Sequence, residues 1–255
     1  EFMNLEGKKI SGSRNWAVWA ADFLTRYDPD ALRYYLTVNM PESKDTDWDW
    51  DEFYHRNNDE LVATWGNLAN RVLSFAFKHW DGVVPDPGVL TPLDEDLLRV
   101  GEDGFKTVGE EFEAVHLRAG LSEAMRLASE VNKYLDQTAP WQQVKTDKSA
   151  AGRAIYTALR AIDSLKSMFA PVLPFTSDKL HGYMGYEGSL FGTQQVETLK
   201  DDLAEHTVLQ YKHGSAVGKW EPSQLKAGQK LNPPGPLFKK LEPKIVEEER
   251  ARLGK

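Results

Sequence analysis

The sequence predicts a mainly α fold: an antiparallel helix bundle, preceded by a small mixed α/β segment and followed by an irregular docked tail with a final helix. Three observations predict it. From residue 52 to residue 184 apolar residues recur at spacings of three and four, the period of a core-facing helix stripe. Short connectors rich in proline and glycine separate these stretches, so neighbouring helices run antiparallel. The chain has 255 residues, 41% of them hydrophobic, which is enough for a sizeable core.

Residues 1–15 are polar and basic, and Ser11-Gly12-Ser13 favours a loop. Residues 16–27 read as helical around Val18, Phe23 and Leu24. Asp28 suits an N-cap and Pro29 a first helical position, so a second helix runs through Val38. Pro41 to Asp51 is a loop whose Asp-Trp alternation allows a short strand. A long helix follows from about Glu52 to His79, with Leu61, Trp65, Leu68, Val72 and Phe75 on its buried face. Gly82 to Pro92 is a connector. The next helix spans about Asp94 to His116. Another, begun near Gly120, ends near Thr138, because the residue before Pro140 is pushed out of helical conformation. Ser149 opens a helix carrying Ile155, Leu159, Ile162, Leu165 and Phe169, and Pro174 opens a short one through Met184. Gly185 to Pro236 shows no strong period, and Leu237 to Leu253 reads as a charged surface helix. The expected division is residues 1–51, 52–185 and 186–255.

Composition narrows the classes of function. No apolar run approaches the length of a membrane span, no secretory signal opens the sequence, and there is no cysteine. These features fit a cytoplasmic protein. The net charge of -8, from 39 acidic and 31 basic residues, argues against broad binding to phosphate backbone; any contact with nucleic acid must be local and shaped. The six histidines have no ligand spacing, so no metal site is expected. The acidic run Asp45 to Asp51 reads as a solvated turn leading into a helix N-terminus.

Two phrases carry chemistry. Trp65-Gly66-Asn67-Leu68-Ala69-Asn70-Arg71 sets Asn67 and Arg71 four residues apart, on one face of a helix and about a quarter-turn off its buried stripe. Asn132 to Trp141 ends a helix at Pro140 and then presents an indole. An exposed indole stacks on an unpaired base, while an amide and a guanidinium bond the base's edge. Taken singly, Trp141 is more often a core aromatic, Asn67 a solvated residue and Arg71 a surface ion-pair member.

Together with three further segments, these phrases resemble methionyl-tRNA synthetases, members of class I of the aminoacyl-tRNA synthetases. Leu5-Glu6-Gly7-Lys8-Lys9-Ile10-Ser11-Gly12-Ser13-Arg14 resembles the signature Lys-Met-Ser-Lys-Ser with its flanks. Tyr27 to Leu36 resembles the stem-contact segment, and Leu225 to Phe238 resembles the peptide that ends the core enzyme. The resemblance implies an anticodon-binding bundle of the class I type, with Asn67, Arg71 and Trp141 reading the CAU anticodon of methionine tRNA. It implies that Lys9, Ser11 and Ser13 belong to an ATP-binding catalytic loop, in which Lys9 faces the cofactor. Gly12 stands where the signature has its second lysine, and Ile10 replaces its methionine. The lysine helps neutralise triphosphate charge, which leaves Lys9, Lys8 and Arg14 for that task.

The His-Ile-Gly-His signature and its nucleotide-binding fold are absent from this sequence. The chain is therefore expected to be inactive alone and to hold no cofactor, with ATP and magnesium used in the full enzyme to join methionine to tRNA. Its expected partners are methionine tRNA and a catalytic domain, in cis or as a separate chain, with no membrane and no DNA. Glu1-Phe2-Met3 reads either as a scar or as native sequence, and the start so close to the signature loop points to a fragment. Two other readings stay open: a non-catalytic tRNA-binding subunit of a split synthetase, and a helical protein-interaction module.

Overall fold

The computed structural model describes all 255 residues. Strand β1 (Met3–Leu5) pairs in parallel with β2 (Thr46–Trp48), with Met3 opposite Thr46 and Leu5 opposite Trp48. Between them lie α1 (Ala20–Phe23) and α2 (Pro29–Val38). α1 is a single turn, shorter than the residues 16–27 expected. Ser11 and Trp16 exchange two backbone hydrogen bonds of 2.9 Å, which ties the preceding residues into a turn instead. α2 starts as expected: the Asp28 carboxylate accepts from the Asp30 amide at 2.7 Å, and Pro29 takes the first position. Phe23, Tyr35, Trp48, Trp50 and Phe53 form a buried aromatic cluster under this segment, with rings 4.6–6.2 Å apart.

The long helix begins at Trp50, because Asp49 caps it by accepting from the Glu52 amide at 2.8 Å. It has three parts: α3 (Trp50–His55), a π-helical stretch (Arg56–Gly66) and α4 (Asn67–His79). In the π stretch, hydrogen bonds reach back five residues, and the last of them runs from the Asn67 amide to the Val62 carbonyl. Leu61, Trp65, Leu68 and Val72 are buried as the spacing predicts. Phe75 is only half-buried.

Next come α5 (Pro92–Glu113), α6 (Leu117–Thr138), α7 (Pro140–Gln143), α8 (Lys148–Phe169) and α9 (Pro174–Tyr183). α5 starts two residues early, because Thr91 and Asp94 form a reciprocal capping box. α8 is the axis of the bundle and packs against α4, α5, α6, α7 and α9. The resulting core is continuous from Leu5 to Val246.

The region after α9 corrects the expectation of irregular chain. β3 (Thr193–Lys200) and β4 (Glu205–Lys212) form an antiparallel hairpin. Polar residues occupy both of its faces, so no alternation marks it. Beyond it the tail docks along the connector: Val84 donates to the Gln229 carbonyl and Leu231 to that of Gly82, at 2.9 and 2.7 Å. A β-carbon on Gly185, at φ +80°, would lie 1.7 Å from the Lys230 carbonyl oxygen, so this contact needs glycine. The expected helix from Leu237 to Leu253 is reduced to α10 (Ile245–Arg250). Leu237 and Phe238 are instead buried at a bend outside any helix, the Phe238 ring lying against Gly66, and Pro243 delays the helix.

Candidate nucleic-acid interface

The helix pattern brings Arg71 and Trp141 together from opposite sides of the sequence. Ala139 ends α6 in the left-handed conformation, at φ 40° and ψ 54°, and its amide donates to the Leu135 carbonyl at 2.9 Å. Such a conformation costs an alanine roughly 1–3 kcal/mol, and strain of this kind clusters at functional sites. Pro140 then opens α7 and turns Trp141 toward α4. The Trp141 ring is half-buried and packs edge-to-face with Phe75, centroids 5.6 Å apart. The Arg71 guanidinium lies over the indole, 4.4 Å from its centroid.

Arg71 also donates to the Asn132 side-chain oxygen at 3.3 Å. Asn132 is anchored in turn, donating to the carbonyls of Ala128 at 3.2 Å and Thr64 at 3.4 Å. The Arg71 Nε is buried and has no acceptor. A guanidinium has five N–H donors, so most of this set is unused. Asn67 sits one turn before Arg71, exposed, and its side-chain amide makes no hydrogen bond to the protein. The group is thus an aromatic surface, a pre-positioned fork of donors and a free amide. Asn132 and Phe75 belong to it as well. The one was visible only as part of a phrase, the other only as a stripe residue.

The second candidate group lies on the N-terminal loop. Leu5 and Lys8 exchange backbone hydrogen bonds of 2.8 and 3.0 Å, and Gly12–Arg14 is one 3-10 turn. The hydroxyls of Ser11 and Ser13 are 3.3 Å apart. Lys9, Gly12 and Ser13 are exposed, and the Lys8 ammonium rests 4.4 Å from the centre of the Trp16 ring. A β-carbon on Gly12 would meet only Trp19, at 3.6 Å, so packing does not impose glycine where the signature has lysine. Lys8, Lys9 and Arg14 give the loop a cationic surface whose charge fits a polyphosphate.

The tail closes behind this loop. Glu249, buried, accepts from Arg26 at 2.8 and 3.0 Å and from the Tyr27 hydroxyl at 2.8 Å. Burial, then Glu249, pushes the Tyr27 phenol up. The hydrogen bond from Arg26 holds the Asp22 carboxyl below its ordinary value. Arg250 bridges to Glu6, Asp49 and Asp51 at 2.9, 3.3 and 2.8 Å.

A helix bundle built this way, with a small parallel strand pair before it and a docked tail behind it, has the architecture of the anticodon-binding part of a class I aminoacyl-tRNA synthetase. The model of class I tRNA synthetases (M) matches residues 1–73, and that of the anticodon binding domain of methionyl tRNA ligase matches residues 84–213. The chain belongs to the methionyl-tRNA synthetase family. It is 49% identical to the methionine–tRNA ligase of Thermomicrobium roseum and 51% identical to that of Chloroflexus aggregans, each over 99% of this chain. It spans 44% and 42% of those relatives, less than half their length. Among solved structures, the methionyl-adenylate-bound methionyl-tRNA synthetase of Mycobacterium tuberculosis shares the fold at a TM-score of 0.77 and 23% identity, over 93% of this chain and 43% of that one. Its apo form gives a TM-score of 0.75 at 22% identity, over 95% and 43%. Asn67 and Arg71 fall under the first family model and Trp141 under the second, so the candidate interface straddles both. Family membership disfavours the reading as a helical interaction module, and no helix is long and apolar enough to cross a membrane.

Proposed function

We propose that this chain is the tRNA-docking portion of a longer methionine–tRNA ligase, and that Asn67, Arg71 and Trp141 read the first base of the CAU anticodon. The contact of Arg71 with Trp141 carries the reading. Trp141 stacks on the cytosine, while Arg71 and Asn67 donate to its edge. Stacking of a base on an aromatic side chain contributes about 1–3 kcal/mol. Residues 1–51 contact the inner stem of the tRNA, residues 52–185 hold the anticodon, and residues 186–255 brace the two.

The Lys9 loop belongs to the catalytic end of the longer protein. Its cations favour the phosphates of ATP, which magnesium accompanies there, and the catalytic domain that completes the site lies in the same polypeptide in the cytoplasm. Lys9 supplies positive charge, while the Ser11 and Ser13 hydroxyls supply hydrogen bonds. The chain alone neither activates methionine nor charges tRNA.

Titration of this chain with anticodon stem-loop RNA tests the reading. A CAU loop should bind more tightly than one with uracil in first position, and Arg71→Ala should erase the difference. Equal binding of both loops by the unmodified chain overturns it.

A further inference from the structure

The aromatic surface does not stop at Trp141. The Phe75 ring lies 4.3 Å from His79 and 6.0 Å from Trp80, and His79 and Trp80 are 6.2 Å apart. All four rings are half-buried, each with a surface open to solvent. The series has a cation at each end: Arg71 on Trp141, and Lys148, whose ammonium is 5.6 Å from the centre of the Trp80 ring.

Beside Trp80 opens a cleft of ≈ 530 Å³, lined by His79, Asp81, Val83, Pro85, Asp86 and Lys148 among others. Its floor is fixed. The β-carbon position of Gly152 is 3.3 Å from the Trp80 ring, and Asp81 leaves α4 in the left-handed conformation at φ 53°. Asp86 is partly committed, accepting from the Gly88 amide at 2.9 Å. Asp81 is exposed and accepts no hydrogen bond.

We propose that His79, Trp80, Asp81 and Lys148 form a second nucleotide subsite, which takes another unpaired base of the same RNA loop. This rests on the reading of Trp141 as the first subsite. The base stacks on the Trp80 ring, and its phosphate meets Lys148. Asp81 offers an acceptor and no donor, so it selects a base with an exocyclic amino group and repels the carbonyl edge of uracil. Burial, with Lys78 and Lys148 nearby, holds the His79 imidazole below its usual value. It therefore stacks as a neutral ring, and the cleft keeps a single ammonium for the phosphate.

The experiment is a double-mutant cycle read by fluorescence anisotropy. Stem-loop RNAs carrying one abasic nucleotide at each loop position in turn are bound to the unmodified chain, His79→Ala, Trp80→Leu and Lys148→Ala. Thermal unfolding checks each variant, and exposed Lys148 keeps the test open should Trp80→Leu fail to fold. Trp80→Leu should weaken binding of the intact loop roughly five- to hundredfold, the size of one stacked base. At one loop position other than the first anticodon base, the abasic RNA should bind the Trp80→Leu and unmodified chains alike. Lys148→Ala should reduce the salt slope by about 0.7, the contribution of one single-strand phosphate. If the unmodified chain discriminates cytosine in first position while His79→Ala, Trp80→Leu and Lys148→Ala bind every RNA as it does, the second subsite is overturned and the first stands. If discrimination at the first base is lacking while the Trp80 cycle still couples to one loop position, the first reading fails and the second subsite stands.

Discussion

Asp94 does more for this fold than a cap. Its carboxylate, buried, accepts from the amide and hydroxyl of Thr91 and from the hydroxyl of Tyr134, and Arg153 approaches it at 3.2 Å. One residue thus joins the start of α5 to α6 and α8. Asp94→Ala leaves a phenol and a guanidinium unpaired, and chemical denaturation should show a loss of about 3–5 kcal/mol. Trp141→Ala is expected to behave oppositely: it should lower affinity for a CAU stem-loop by about 1–3 kcal/mol in anisotropy titrations, with a far smaller change in unfolding midpoint, since the ring is half-buried at the rim. At this scale the sequence was informative where position follows from helix phase. Asn67 and Arg71 could be set off the buried stripe by arithmetic. That Arg71 would lie over Trp141, and that Asn132 would hold it there, depends on how α6 meets the long helix, which no local pattern states.

Elements with strong periods or strong caps were legible: Asp28-Pro29 placed α2, and the apolar repeat from Ile155 to Phe169 placed α8. The β3–β4 hairpin was not, because nothing distinguishes its faces. Val196 is 71% exposed and Leu209 64%, so the hairpin lends little to the core. Replacing Thr193–Lys212 by a short glycine linker should leave the unfolding midpoint nearly unchanged in calorimetry. The junction of α8 and α9 is more sensitive. Lys166 and His181 are both buried, and the Lys166 ammonium donates to Asp163 at 2.6 Å and to the His181 Nδ1 at 3.1 Å. Burial and then Lys166 hold the imidazole below 6.5, against the pull of Asp163 and Asp178. The unfolded chain therefore takes up a proton that the folded chain refuses. Stability is full above this ordinary value and falls as pH drops through it. Denaturation midpoints measured from pH 7.5 down to 5.5 should decline, and His181→Gln should flatten that decline.

For the whole molecule, the tail is a strap rather than an appendage. It hydrogen-bonds the connector at Val84, packs Phe238 against Gly66, and ends with Glu249 and Arg250 gripping the segment that carries the Lys9 loop. Asn57 and Asn58, buried in the long helix, donate to the carbonyls of Lys239 and Leu241 at 3.1 and 3.0 Å. Phe238→Ala should cost about 3–5 kcal/mol, as expected for a large buried ring, and limited proteolysis should then cut the tail first. A docked tail could be inferred from its phrases, but its path could not. Its contacts, backbone and side-chain alike, are to residues far away in sequence, and they impose no period on the tail itself.

The π-helical stretch from Arg56 to Gly66 has a consequence for how recognition can change. Each of its turns takes in an extra residue, so the helix beyond it is rotated relative to a plain α-helix started at Trp50. The aim of Asn67 and Arg71 is therefore set by a count of residues as much as by their identity. Removing exposed Ala63 would let the stretch tighten and swing both side chains around the axis, with every residue of the proposed site still in the chain. Under the proposed reading, a lineage could lose or retune recognition of the anticodon by a single-codon deletion, which a search for changed contact residues would pass over.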